Sequence, residues 1–456
     1  MTTLPLIRHQ SPAAALACRN GRLLSAAQFL GDVGTVAALL PERRYVLNLC
    51  EDRYHFAVCL AAAMVKGQTA LLPSSRTPAV LERLRQDFPA TYCITEGSDD
   101  VGRIERVVIP AALPHEAADV DAASVPRVPA DHVVALTFTS GSTGEPTAHP
   151  KTWGPLVRTA AAEAAGLRID GGDNPAARVT GLVGTVPPQH MYGLESTILL
   201  ALHNGLVMHA ARPFYPEDIR QALVELPEGR ALVTTPLHLR ALLESGVPVP
   251  PLALIVCATA PLSEDLAAQA EARYGAPVRE IYGCTETGQV AARRTVEGPW
   301  WRTLPGVKFR LEGDQCWAEG GPVAIPAPLA DVIELESPEV FRLHGRLAGV
   351  INVAGKRTSI EHLDAQLATI AGVRDGAFFM PDEAQGSAAG VTRLMAFVVA
   401  PDLTARELLA ALRTRIDAAF LPRPLVFVDA LPRNATGKLP REALSALARD
   451  HGRNRR

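Results

Sequence analysis

Short apolar runs, each followed by a stretch with helical spacing of its apolar positions, recur along most of the chain. Tyr45-Val-Leu-Asn-Leu precedes the helical pattern Tyr54 to Val65. Thr69-Ala-Leu-Leu-Pro leads into Pro78 to Phe88, and Ala90-Thr-Tyr-Cys-Ile-Thr is the next strand pattern. The rhythm returns with Arg230-Ala-Leu-Val-Thr-Thr before Leu237 to Glu244. It returns again with Leu252-Ala-Leu-Ile-Val-Cys before a helix from Ser263 to Tyr274, which Ser263 is suited to cap. Strand–helix alternation of this kind predicts an α/β fold with parallel sheets. After about residue 300 the pattern changes: Gly313, Gly320, Gly321, Pro322, Pro326 and Pro328 interrupt short runs such as Val332-Ile-Glu-Leu-Glu. These predict a small antiparallel, β-barrel-like region. From about Arg346 the order is helix, strand (Leu394-Met-Ala-Phe-Val-Val), helix (Thr404 to Phe420), strand (Leu425-Val-Phe-Val), a small α+β domain. The expected division is therefore residues 1–345 and 346–456, with the linker near 345–349. The Ala/Pro/Asp-rich stretch Ala111 to Ala130 is read as a surface connection.

Composition changes this picture only by exclusion. Across 456 residues, 45 Lys and Arg face 48 Asp and Glu, a net charge of −3. That balance gives no basic field for nucleic acid or a membrane surface, and the basic end from His451 to Arg456 is too short to supply one. The apolar run Phe56 to Val65 stops at Lys66, too short to span a bilayer. The opening Met-Thr-Thr-Leu-Pro-Leu-Ile-Arg lacks the pattern of a secretory signal. The 7 cysteines contain no C-x-x-C, so they read as scattered reduced thiols rather than a disulfide frame or zinc site. The expectation is a cytoplasmic protein.

Four segments carry chemistry. In Val133-Val-Ala-Leu-Thr-Phe-Thr-Ser-Gly-Ser-Thr-Gly-Glu-Pro146 a strand runs into Thr139, Ser140, Gly141, Ser142, Thr143 and Gly144. Hydroxyls and glycines let backbone N–H groups converge on an anion such as a phosphate chain. Taken alone, such a tract is more often a plain turn, and it lacks the Gly-Lys-Ser/Thr of a Walker loop. In Ile281-Tyr-Gly-Cys-Thr-Glu-Thr-Gly288, Glu286 is suited to Mg²⁺, which takes one or two carboxylates plus substrate phosphates. Tyr282 could cover a flat base. The third segment is Leu343-His-Gly-Arg-Leu-Ala-Gly-Val-Ile-Asn352. The fourth, Leu431-Pro-Arg-Asn-Ala-Thr-Gly-Lys-Leu-Pro-Arg441, puts Lys438 on a Gly-flanked tip read as mobile, from which it could meet a developing anion.

In this order the four segments resemble the adenylate-forming superfamily of acyl-CoA synthetases, peptide-synthetase adenylation domains and luciferases. Thr139 to Gly144 resembles its phosphate loop, Tyr282-Gly-Cys-Thr-Glu286 its Tyr-Gly-x-Thr-Glu motif, Gly345-Arg346 the opening of its C-terminal domain, and Gly437-Lys438 its catalytic Gly-Lys. Thr234 to Glu244, Ala258-Thr-Ala-Pro-Leu-Ser263 and Pro187-Pro-Gln-His-Met-Tyr-Gly193 match in between. The resemblance implies ATP and Mg²⁺. It implies nucleotide binding by the loop with Thr259, Ala260, Tyr282 and Gly283, and ribose binding by Asp331, which keeps the family's spacing before Gly345-Arg346, and by Arg346. It implies catalysis by Lys438, Thr285 and Glu286, a C-terminal domain that rotates between two half-reactions, and an acyl pocket near His190, Tyr192, Ala258, Gly283 and Gly288.

Three positions depart from the family pattern. Thr147 stands where the phosphate loop usually ends in Lys, with His149 and Lys151 following as candidates for the missing charge. Ala348 and Gly349 occupy the usual hinge, and Asn352 follows Ile351 in place of Lys. With the short chain, these features resemble the aryl-polyene and xanthomonadin pigment branch. That resemblance implies activation of 4-hydroxybenzoate, or else 3-hydroxybenzoate, and loading onto an acyl carrier protein. An aryl-CoA ligase differs only in the thiol acceptor. A non-catalytic protein that binds acyl-adenylates or nucleotides is the alternative of another class.

Overall fold

The computed structural model describes residues 2–73, 76, 78–97, 101–110, 113–116, 125–140, 146–313, 315–346, 350–353, 356–381, 393–434 and 437–453. Two sheets form the larger part of the molecule. In the first, Val133–Ser140, Thr69–Leu72, Tyr45–Asn48, Tyr92–Thr95 and Glu105–Val108 lie side by side and parallel, and Pro146–Thr152 returns antiparallel at the edge. Thr69–Leu72 and Tyr92–Thr95 are buried on both faces, which is why they read as unbroken apolar runs rather than alternating ones.

The second sheet has a parallel centre of Val278–Cys284, Leu252–Cys257, Arg230–Thr234, Gly181–Gly184, Val207–His209 and Ala15–Arg19. Antiparallel strands extend it at both ends. Gly288–Arg294, Trp300–Thr303, Val340–Arg346 and Asp331–Ser337 lie on one side, and Arg22–Ser25 on the other. The helix Arg53–Val65 is buried over nearly its whole length because it packs against strands of both sheets. Asp52 caps its start by accepting from the His55 backbone N–H. Arg53, at its first position, is fully buried. Its guanidinium donates to Thr197 Oγ1 at 2.9 Å and to the carbonyls of Gly184, Val186, Ala211 and His209, so the buried charge fastens one sheet's strand ends to the helix between the sheets.

The antiparallel region expected after residue 300 consists of the three strands Lys308–Glu312, Gln315–Gly320 and Val323–Pro328 beside the antiparallel end of the second sheet. Trp301, Phe309 and Phe341 form its core. In the C-terminal part, Val350–Val353 and Lys356–Ser359 pair as a hairpin ahead of the helix Ile360–Ala368. Asp375–Phe379, Met395–Val399 and Leu425–Phe427 then form a three-stranded sheet flanked by Ala405–Arg413 and Arg441–Arg453. The helix expected to reach Phe420 stops at Arg413. Thr414 turns its hydroxyl back to the Ala411 carbonyl, and Asp417 caps a separate short turn at Ala418–Phe420. The expected hinge residues Ala348 and Gly349 lie outside the described residues. None of the seven cysteines is joined in a disulfide, and among the described residues no helix is long and apolar enough to cross a membrane.

Candidate active site

The anion loop closes a hairpin rather than leading into a helix. Thr139 and Ser140 end the strand Val133–Ser140, and their backbones pair with Thr147 and Pro146 of the returning strand. Gly141, Ser142, Thr143 and Gly144 lie outside the described residues. On the returning strand, His149 and Lys151 are two residues apart and so point to the same face. Both meet the turn that carries Glu286: His149 Nε2 lies 3.8 Å from Glu286 Oε1, and Lys151 Nζ donates to the Glu286 carbonyl at 3.0 Å.

That turn is tightly built. The strand Val278–Cys284 bulges between Tyr282 and Gly283 and pairs antiparallel with Gly288–Arg294. A Cβ on Gly283 would lie 2.4 Å from the Gly288 carbonyl oxygen, and Gly288 holds a φ of +74°, so both positions require glycine. Of the connecting residues, Thr285 is half-buried, the Glu286 carboxylate is 41% exposed and Thr287 is buried. Cys284 Sγ lies 3.2 Å from Thr287 Oγ1, which donates to the Gly288 carbonyl and braces the turn from within.

Tyr282 donates its hydroxyl proton to Asp331 Oδ2 at 2.6 Å. Its ring is buried, edge-on to Trp301 and tilted against Phe341, which fixes the direction of the hydroxyl. Asp331 opens the strand Asp331–Ser337 and faces Arg346 across the ladder, so the sequence-predicted pair shares one register position. Thr259 holds a left-handed φ of +82°, a strained conformation for a β-branched residue, beside Ala258 and Ala260 at the end of Leu252–Cys257.

Lys438 is tied back to Asn434, whose N–H donates to the Lys438 carbonyl at 2.8 Å. Asn434 closes the turn by accepting the Gly437 N–H on its carbonyl and the Lys438 N–H on its side-chain oxygen, each at 2.9 Å. Arg433 grips Asp375 with two bonds of 2.8 and 2.7 Å and donates to the Gly437 carbonyl at 2.9 Å. Gly437, at φ +77°, passes Thr235 and Leu237 of the larger part, with its Cβ position 3.8 Å from Thr235 Oγ1. Burial, then the Lys438 ammonium, push the His190 pKa down to about 4. His190 Nδ1 accepts from the Tyr192 N–H, so in the neutral ring the proton sits on Nε2.

The other expected pocket residues divide in two. The Tyr192 hydroxyl lies 3.1 Å from the Thr234 carbonyl and 3.0 Å from that of Val256, tying two parallel strands together. The space that Gly288 leaves is taken by Glu195, whose Oε1 would be 2.5 Å from a Cβ there. The acyl-pocket space expected at Gly283 and Gly288 is therefore already filled by backbone and by this carboxyl group.

Sequence reasoning passed over Glu195 together with Glu163 and Gln289, all fully buried behind the Glu286 turn. The Gln289 amide donates to Glu163 at 3.0 Å and accepts from Ser196 Oγ at 2.7 Å. Burial raises the pKa of Glu163 to about 8 and that of Glu195 to about 7. The available signal was a single acid inside each of two apolar helical stretches, Ala160 to Leu167 and Met191 to Leu202. Glu195 lies on a π-helical turn, Leu194–Leu199, a distortion that recurs at functional sites.

The donor set fits a nucleotide with a hard cation. An accessible carboxylate at Glu286 offers oxygen to Mg²⁺ while leaving room for phosphate and water. Asp331 presents a fixed acceptor.

Residues 36–345 match the family model described as AMP-binding enzyme, and residues 362–438 match the AMP-binding enzyme C-terminal domain. The chain is 32% identical over 308 residues to a 4-coumarate–CoA ligase of Rhodobacter capsulatus, covering 67% of this chain and 74% of the relative. Its fold matches an O-succinylbenzoate coenzyme A synthetase of Bacillus subtilis in complex with AMP. The TM-score is 0.80 at 17% identity, over 97% of this chain and 98% of that one. It also matches an anthranilate CoA ligase in complex with anthranoyl-AMP, with a TM-score of 0.79 at 15% identity and 99% of each chain covered.

Proposed function

Because the chain belongs to the AMP-binding enzyme family, we propose that it adenylates an aromatic carboxylic acid with ATP and passes the acyl group to a pantetheine thiol. The observation that supports this reading most directly is that Gly437, next to Lys438, passes Thr235 and Leu237 of the larger part, with its Cβ position 3.8 Å from Thr235 Oγ1. In the first half-reaction the substrate carboxylate attacks the α-phosphorus of ATP, an acyl–AMP bond forms, and pyrophosphate leaves. Such chemistry needs chiefly positioning and neutralised charge. Lys438 supplies the cation between the carboxylate and the α-phosphate, and Thr285 a hydroxyl to the α-phosphate. Asp331 and Arg346 hold the ribose. The loop from Thr139 to Gly144 cradles the phosphates. Thr259, Ala260, Tyr282 and Gly283 border the adenine. Glu286 would hold Mg²⁺, which neutralises phosphate charge when bound.

In the second half-reaction residues 346–456 turn away, Lys438 withdraws, and the thiol attacks the acyl carbonyl to release AMP. His190, Tyr192 and Ala258 border the acyl group, and a hydroxybenzoate is the proposed acid, 4-hydroxybenzoate before 3-hydroxybenzoate. The names of the 4-coumarate and anthranilate CoA ligases support an aromatic acid and favour free CoA as acceptor. A carrier protein of pigment biosynthesis presents the same thiol and is the second reading, resting on the unusual sequence between Gly144 and Trp153.

The test is ATP–pyrophosphate exchange over a panel of hydroxybenzoates, cinnamates, aliphatic acids and amino acids, followed by CoA or holo carrier protein as acceptor. Exchange with aromatic acids is expected, and silence across the panel would leave a nucleotide-binding protein without catalysis. Lys438→Ala should lose exchange by about 10²-fold or more while still binding ATP. Unchanged exchange in that variant removes Lys438 from the mechanism.

A further inference from the structure

The strand that leaves the anion loop sends a buried cation into the back of the Glu286 turn. Lys151 is 7% exposed, and its ammonium donates to the Glu286 carbonyl at 3.0 Å. The cation is thus engaged by the main chain of that turn. A buried ammonium is costly unless hydrogen-bonded and balanced. The acids bearing on Lys151 are Glu195 and Glu286, with the Cys284 thiol as a third group. Glu195 is buried against Gly288 at the far end of the same turn and accepts the Gln289 backbone N–H. The turn is thus held at its tip by Lys151 and at its base by Glu195. Its only accessible acid is the Glu286 carboxylate, directed outward beside His149.

We propose that Lys151 is a positioning residue: it fixes the Glu286 main chain from the anion-loop strand, so that hairpin and carboxylate are set as one unit for a Mg²⁺-bound nucleotide. The inference rests on the adenylation reading above and adds a residue to it. It also explains how the hairpin works with Thr147 where a lysine is usual. The positive charge is moved along the strand, from contact with the phosphates to support of the turn that faces them.

The experiment measures ATP affinity by titration calorimetry, with Mg²⁺ and with EDTA, for the wild-type chain, Lys151→Met and Lys151→Arg, each with and without Glu286→Ala. Exchange kinetics give the KM for the acid. K151M is expected to weaken ATP binding about tenfold or more with Mg²⁺ present, and to leave both the EDTA value and the acid KM unchanged. K151R should recover part of the loss. In the Glu286→Ala background, K151M should cost nothing further, since the effect passes through that carboxylate. Equal weakening in EDTA would mean that the ammonium acts on the phosphates themselves, and equal loss without Glu286 would mean a general structural role. Either result overturns the proposal. If K151M does not fold, K151R carries the test, and loss of its Mg²⁺-dependent tightening is fatal. A wild-type chain without Mg²⁺-dependent ATP binding would bring down the adenylation reading as well, whereas normal wild-type binding with an indifferent K151M brings down this inference alone.

Discussion

Tyr282 joins the packing of the molecule to its chemistry at a single atom. Its ring is held by Trp301 and Phe341, and its hydroxyl hydrogen bond to Asp331 therefore fixes a carboxylate proposed to bind ribose. A hydrogen bond to a charged group is worth about 1.5–3 kcal/mol. Tyr282→Phe should therefore raise the KM for ATP by about tenfold or more without moving the KM for the acid or the melting temperature. A changed acid KM would place the Tyr282 hydroxyl against the acyl group instead. At this scale the sequence singled out polar side chains close to glycine, Glu286 and Lys438, and reached Asp331 by its spacing from Gly345-Arg346. It was not legible where meaning depends on the partner. Lys151 follows a phosphate-type loop in the chain, yet the hairpin turns it onto the Glu286 carbonyl. Tyr192 lies near the expected pocket, yet its hydroxyl ties the strands of Thr234 and Val256.

Among elements, the parallel strands and their helices were readable because burial on both faces leaves unbroken apolar runs such as Leu252–Cys257. The strand Asp375–Phe379 was missed: it begins with Asp and Gly, and its apolar face appears only once the helix Ile360–Ala368 covers it. The join between them has a pH dependence. Asp364 on the helix accepts the Phe378 N–H of that strand at 2.5 Å. Burial, with Glu361 and Asp375 adding to it, raises its pKa from 3.8 to about 8. The folded state therefore keeps a proton that the unfolded chain gives up near pH 4. Stability from this site is complete below about pH 4, falls as the pH rises towards 8 by up to about 1.4 kcal/mol per unit, and is flat above. Asp364→Asn keeps an oxygen for the Phe378 N–H and cannot ionise. Hydrogen-exchange protection of peptides covering residues 360–379 should decline between about pH 5 and 8 in the wild type, after correction for intrinsic rates, and should hold level in the variant. Parallel decline in both would assign the slope to other groups. The same strand begins with Asp375, the partner of Arg433, so loosening here would reach Lys438, the lysine proposed to act in adenylation.

For the whole molecule, the arrangement of apolar cores bears on how one chain could perform two half-reactions. Every described core cluster draws either on residues up to Leu343 or on residues from Ile351 onward, and none mixes the two. The two sides meet through polar and edge contacts, such as the Ser359 hydroxyl on the His344 carbonyl and Gly437 passing Thr235 and Leu237. Interfaces of this kind permit relative motion, because turning one part exposes little apolar surface. The proposed withdrawal of Lys438 between half-reactions needs that property. If the division holds, a chain ending at Arg346 keeps the strand Val340–Arg346, the Asp331–Arg346 register and every core of the larger part. It should unfold cooperatively and bind Mg·ATP close to full strength, yet lose pyrophosphate exchange to the same degree as Lys438→Ala. Two results would count against this reading: aggregation of the shortened chain, which would mean that the smaller part completes the core of the larger, and residual exchange well above that of Lys438→Ala. The second would mean that the C-terminal part supplies more hindrance than help to the adenylation step, and that the lysine it carries acts elsewhere.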